Sequence, residues 1–170
     1  MADEILNRVT NSGVISLNLE ELMPEFHVES IDLKEQLWQE LILKEKDFRA
    51  WIKKTNWSVY EGKNVSISCS NDAIIPTWAF MLVASALNPY AQSISALPAA
   101  HVKRNLMLSF IENMDLVSFE GARVVVKGCS DADIPMDAYT LLVNRLQPVV
   151  KSLLFGEPCS TVPIYKKPRN

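Results

Sequence analysis

A chain of 170 residues with 48% apolar and 22% charged residues can bury a real core, and its net charge of −3 gives nucleic-acid binding no electrostatic footing. "IIPTWAFMLVASAL" (74–87) is too short to cross a membrane and is broken by Pro76. The N-terminal "MADEILNRV" is acidic and lacks the basic-then-apolar layout of a signal peptide, so a cytoplasmic location without nucleic-acid or membrane partners is expected.

In chain order, residues 1–30 hold one strand pattern, "VISLNL" (14–19), expected as an edge strand or as an arm reaching a second copy in a homodimer. "IDLKEQLWQELILKEKDFRAWIKK" (31–54) combines an Asp32-x-x-Glu35 capping box with an apolar stripe at Leu33, Leu37, Trp38, Leu41, Phe48, Trp51 and Ile52. This predicts an N-terminal helical segment whose stripe faces the core or a subunit contact.

The next segment repeats. Sliding the chain by 59 residues lays residues 61–93 on 120–152 without a gap, and 12 of 33 positions are identical, among them Gly62/Gly121, Pro76/Pro135 and Pro89/Pro148. Self-similarity at that level is the mark of an internal duplication. Each copy, 61–95 and 120–155, reads as β-α-β. "NVSIS" and "RVVVK" are short strands after a glycine turn, the prolines bracket a helix, and "AQSIS" or "VKSLLF" supplies the second strand. "AHVKRNLMLSFIENM" (100–114) is helical between the copies, and 156–170 is left as a C-terminal tail. The expected fold is a single α/β domain over 1–170: a three-layer sheet made of two duplicated β-α-β units with parallel pairing in each.

Ligands of open parallel sheets sit beyond the carboxyl ends of the strands. Cys69 and Cys129 follow the first strand of their copies, and Cys159 follows the second strand of copy two. The position matching Cys159 in copy one is Ala100, beside His101. The expected architecture thus sends three thiols and one imidazole toward one rim. The register has a flaw, because Cys69 falls opposite Gly128 and Cys129 opposite Ser70. Three readings stay open. Cys69, Cys129, Cys159 and His101 could ligate zinc or iron, which suit soft sulfur donors. Cys129, just before a helix start, could be a nucleophilic thiol. All three cysteines could equally be small apolar fillers, and His101 a solvated side chain. Asp72 and Asp131 are expected as helix caps. The helix starts at 72–76 and 131–135 offer a further place for an anion.

"LILKEKDFR" (41–49), "CSNDAIIPTWAFML" (69–82), "KGCSDADIPMDAY" (127–139) and "LFGEPCSTVPIYKKP" (154–168) resemble the bacterial domain of unknown function 2480 family over nearly the whole chain. The resemblance brings no reaction with it. It implies a setting near iron–sulfur cluster assembly and sulfur mobilisation, with protein partners from that machinery. The leading expectation is therefore a thiol or metal-site protein that binds zinc or iron, or carries sulfur as a persulfide on Cys129. The alternative is a non-enzymatic, dimeric interaction module with structural cysteines, presenting the arm at 14–19, its four tryptophans (Trp38, Trp51, Trp57, Trp78) and the proline-rich tail.

Overall fold

Residues 13–128, 134–157 and 160–168 are described by a computed structural model. The chain begins with β1 (Val14–Asn18) and the short α1 (Leu19–Leu22), then β2 (Val28–Asp32) and a 3₁₀ turn at Leu33–Gln36. The small strands β3 (Leu37–Trp38) and β4 (Ile42–Leu43) precede α2 (Glu45–Lys54). The first copy of the repeat follows as β5 (Asn64–Ser68), α3 (Thr77–Leu87) and β6 (Ser93–Ser95). Then come α4 (Ala99–Glu112), the second copy as β7 (Arg123–Lys127), α5 (Met136–Leu146) and β8 (Ser152–Glu157), and finally β9 (Ser160–Lys166).

These elements form two compact units, a central one over Phe26–Lys103 and a flanking one made of the residues up to Glu25 and from Arg104 onward. The α/β class holds, but the strands do not share one three-layer sheet. The central unit has the sheet β2-β5-β6 and the separate hairpin β3-β4, and the flanking unit has β1-β7-β8-β9. No helix among the described residues is long and apolar enough to cross a membrane.

The two copies match element for element. Asn64 and Arg123 open the first strands, Thr77 and Met136 the helices, and Ser93 and Ser152 the second strands, each a step of 59 residues. Pairing is parallel in both, with Val65 opposite Ile94 and Val124 opposite Leu153. Crossover helices cover these pairs because their buried positions recur at i, i+4 and i+8. These are Ala79, Val83 and Leu87 in α3, and Ala138, Leu142 and Leu146 in α5. Gly62 (φ +69°) and Gly121 (φ +66°) make the left-handed turns into β5 and β7. Their N–H groups donate to the carbonyls of Tyr90 and Val149 at 2.9 and 2.8 Å, which pins the end of each crossover helix back to the start of the strand that precedes it.

Each unit has its own core. In the flanking unit Val124, Val126, Leu142, Leu146 and Leu153 join Leu17, Leu19, Ile111 and Phe119. In the central unit Val65, Ile67, Val83 and Leu87 join Leu33, Phe48 and Trp57. Phe48 meets Trp51 and Trp78 at ring-centroid distances of 5.1 and 5.8 Å, and Trp57 donates its indole N–H to the Ile52 carbonyl at 2.9 Å. Three of the four tryptophans are thus committed to the core, and Trp38 is the exposed one.

Two further expectations need correction. The helical segment expected over 31–54 is helical only in α2 and the 3₁₀ turn. Asp32 accepts the Lys34 N–H at 3.0 Å and so starts a single tight turn, while Gln39 (φ +51°) and Glu40 (φ +61°) reverse the chain into the β3-β4 hairpin. The tail expected over 156–170 contains β9, which pairs antiparallel with β8 at the sheet edge. An edge tolerates Pro163, which would break a central strand. The segment 14–19 does supply an edge strand, β1, paired parallel to β7 of its own chain.

Candidate functional site

The expected thiol rim presupposed one sheet. Cys69 follows β5 of the central sheet, whereas Cys129 and Cys159 stand after β7 and β8 of the flanking sheet and lie outside the described residues. Cys69 is half-buried and packs against the central core. The residue after it is held by Asp32, whose carboxylate accepts the Ser70 N–H at 3.0 Å. Hydrogen bonding from the Ser70 side chain, then from the Lys34 and Ser70 backbones, outweighs burial and holds the Asp32 carboxyl below its ordinary value of 3.8. Asn71 continues the anchoring by donating to the Glu40 carbonyl at 3.0 Å, which ties this loop to the β3-β4 hairpin.

His101 is exposed in the first turn of α4, where its backbone N–H donates to the Pro98 carbonyl. Among the described residues no three His, Cys, Asp or Glu side chains come together in a way that would hold a metal ion; Cys129 and Cys159, the other two expected ligands, lie outside those residues. Asp72 does not cap α3. The N-cap position is Pro76, without a side-chain hydrogen bond, and Pro135 plays the same part for α5. Asp131 lies outside the described residues. The acidic residue at the start of α5 is Asp137, which is ion-paired with Arg104.

The flanking unit contains a concave site that the sequence reading missed. A cavity of about 540 Å³ opens between α5 and the strands β7, β8 and β9. Val126 and Gly128 bring the carboxyl end of β7 to it, the region where parallel α/β sheets commonly take ligands. From α5 come Met136, Tyr139, Thr140 and Val143, consecutive turns of one helix face. Leu154 and Phe155 of β8 close the opposite wall, and Ile164 of β9 extends it past the crossover unit. Met136 is 78% exposed, Ile164 49% and Phe155 40%, so apolar side chains form a mouth open to solvent.

The shape of the cavity depends on Gly128. The Phe155 ring lies against its bare backbone, and a Cβ at 128 would stand 2.6 Å from the Phe155 Cζ. Phe155 in turn meets Tyr139 edge to face, with centroids 6.0 Å apart and an interplanar angle of 86°. In the central unit the matching positions are Cys69 and Ala96. One copy therefore pairs a glycine with a phenylalanine where the other pairs a cysteine with an alanine. The register flaw in the repeat was the available signal: Cys69 opposite Gly128 marks a place where the copies fill space differently. It identifies Cys69 as a core-packing side chain.

No curated protein and no solved structure matches the chain. The family model described as "Protein of unknown function (DUF2480)" matches residues 3–167, and with nearly the whole chain covered the protein belongs to that family.

Proposed function

We propose that this protein is a binding module that holds an apolar ligand in the cavity between α5 and the β7-β8-β9 wall. The observation that carries the reading is the cavity itself. Its volume of about 540 Å³ falls within the roughly 300–1,000 Å³ range of small-molecule sites, and its mouth is apolar and open. Among the described residues that line it there is no carboxylate, imidazole, thiol or amine, which favours binding over bond-making chemistry. The test is a titration with the neutral, environment-sensitive dye N-phenylnaphthylamine. Saturable fluorescence enhancement is expected, and Ile164→Glu, placed at the mouth, abolishes it while far-ultraviolet circular dichroism stays unchanged. A dye that never saturates, or that binds the Ile164→Glu variant equally well, refutes the reading.

A second reading, the thiol site, is supported by the parallel pairing of β7 and β8, because Cys129 and Cys159 follow neighbouring strands at the same end of one sheet. On this reading the two thiols bind zinc or iron, or Cys129 carries sulfur as a persulfide, in support of cytoplasmic iron–sulfur cluster assembly. Metal and labile sulfur would be measured on protein purified anaerobically. Cys129→Ser and Cys159→Ser should lose the load and Cys69→Ser should keep it. Normal loading of all three variants ends this reading.

A further inference from the structure

We infer that the ligand of the flanking-unit cavity is an uncharged aromatic molecule, and that Gly128 is the residue that keeps the space for it. The inference rests on the cavity being a binding site and adds the class of ligand it selects.

Charge is the first filter. Among the described residues that line the cavity none is charged, and the Thr140 hydroxyl donates to the Asp137 carbonyl at 3.0 Å. The charged residues next to the lining in sequence are paired with one another. Lys127 meets Glu157 at 3.4 Å, and Asp137 meets Arg104. An ionised ligand would give up its hydration and find no counter-charge among the described lining residues, a cost that an apolar wall does not repay. A neutral ligand loses nothing of that kind.

The second filter is shape. Tyr139 and Phe155 stand at 86° to each other, so together they present a ring face and a ring edge. A planar ring entering between helix and sheet can stack on one and meet the edge of the other, the two geometries that aromatic quadrupoles favour. Met136 at the mouth adds a flexible thioether, which adapts to a ring and interacts favourably with it. An aliphatic chain would gain burial from the same walls but not these directional contacts.

Gly128 makes both features available. With any side chain there, the Phe155 ring would have to leave its place against the β7 backbone, because the added Cβ would lie 2.6 Å from it. Displacing the ring would disturb its edge-to-face contact with Tyr139. The central unit resolved the same position the other way, with Cys69 packed into the core and only Ala96 at the Phe155 position. Gly128 is thus a positioning residue that acts through Phe155.

The experiment is competition against bound N-phenylnaphthylamine with three compounds: naphthol, which is neutral and aromatic; decanol, which is neutral and aliphatic; and naphthoate, which is aromatic and anionic. Naphthol should displace the dye about tenfold more effectively than decanol, and naphthoate should not displace it where naphthol saturates. Gly128→Ala should weaken dye binding by about tenfold with the circular dichroism spectrum intact. Should that variant fold poorly, Phe155→Leu tests the same point, since it keeps an apolar wall and should erase the preference for naphthol over decanol. Displacement by decanol or naphthoate as good as by naphthol overturns the ligand class while the cavity remains a binding site. No dye binding by the parent protein overturns both.

Discussion

Gly156 gives the sharpest test of how the cavity wall is built. It sits near the end of β8 with φ +123°, a backbone conformation that side-chain-bearing residues rarely adopt. A Cβ there would meet the Ser160 carbonyl oxygen at 2.6 Å and the Thr161 Cα at 3.5 Å. Both are main-chain atoms of β9, so no side-chain rotation relieves the clash. Gly156→Ala should therefore cost about 1–3 kcal/mol in backbone strain and about 1–3 kcal/mol more in overpacking. Gly121 is the matched control in the same unit. It also has a positive φ, +66°, but an added Cβ meets nothing within 4 Å. Gly121→Ala should cost only the left-handed backbone term, about 1–2 kcal/mol. Urea unfolding followed by circular dichroism would measure both, with the slope checked so that midpoints can be compared. The expected order is parent, Gly121→Ala, Gly156→Ala, the last also losing dye binding because Ile164 rides on the displaced strand. Equal midpoints for the two variants would refute the β8-β9 packing described above.

Phe48→Ala removes a buried ring from between Trp51 and Trp78 and should destabilise the protein by about 3–5 kcal/mol, with loss of near-ultraviolet circular dichroism. Cys69→Ser should cost about 1 kcal/mol in a denaturant titration and leave dye affinity unchanged, since the thiol packs in the other unit. Asp32→Asn should change the acid limb of the stability profile. A carboxyl whose folded value is depressed stabilises the fold above its unfolded value and loses that contribution as pH falls below 3.8 through the folded value. The Asn variant should be less stable than the parent near neutrality and should converge with it in strong acid; parallel profiles would contradict the hydrogen bonds assigned to Asp32.

The repeated core was legible because three independent signals coincide in each copy: a β-branched run, a proline before the helix and another after it. The stretch from Val28 to Leu43 was not. Asp32-x-x-Glu35 and the apolar spacing beyond it imitate a helix, while the turn that breaks it uses Gln39 and Glu40, neither of them a residue that announces a left-handed turn. The strand β9 was hidden by its proline, which is harmless because β9 is the edge strand of its sheet among the described residues. The cavity was the least legible feature. It arises from a contact between Gly128 and Phe155, residues far apart in sequence whose sizes make sense only together. The three cysteines looked like one constellation because their strands were expected in one sheet, whereas β5 belongs to one sheet and β7 and β8 to another.

The order of strands in the flanking sheet also sets a timetable for synthesis. The central unit is one continuous segment, Phe26–Lys103, so its pairings can form as soon as that segment has left the ribosome. Strand β1 cannot pair so early, because Val14 lies opposite Arg123, 109 positions further on. At roughly 5–20 residues per second, its partner arrives about 5–20 s after it. During that interval Val14, Ile15 and Leu17 form an orphan strand with free backbone groups, the kind of edge that recruits other chains. The second copy must then bring β7 to this waiting strand, and the cavity, whose described lining runs from Val126 to Ile164, is complete only once β9 has also been made.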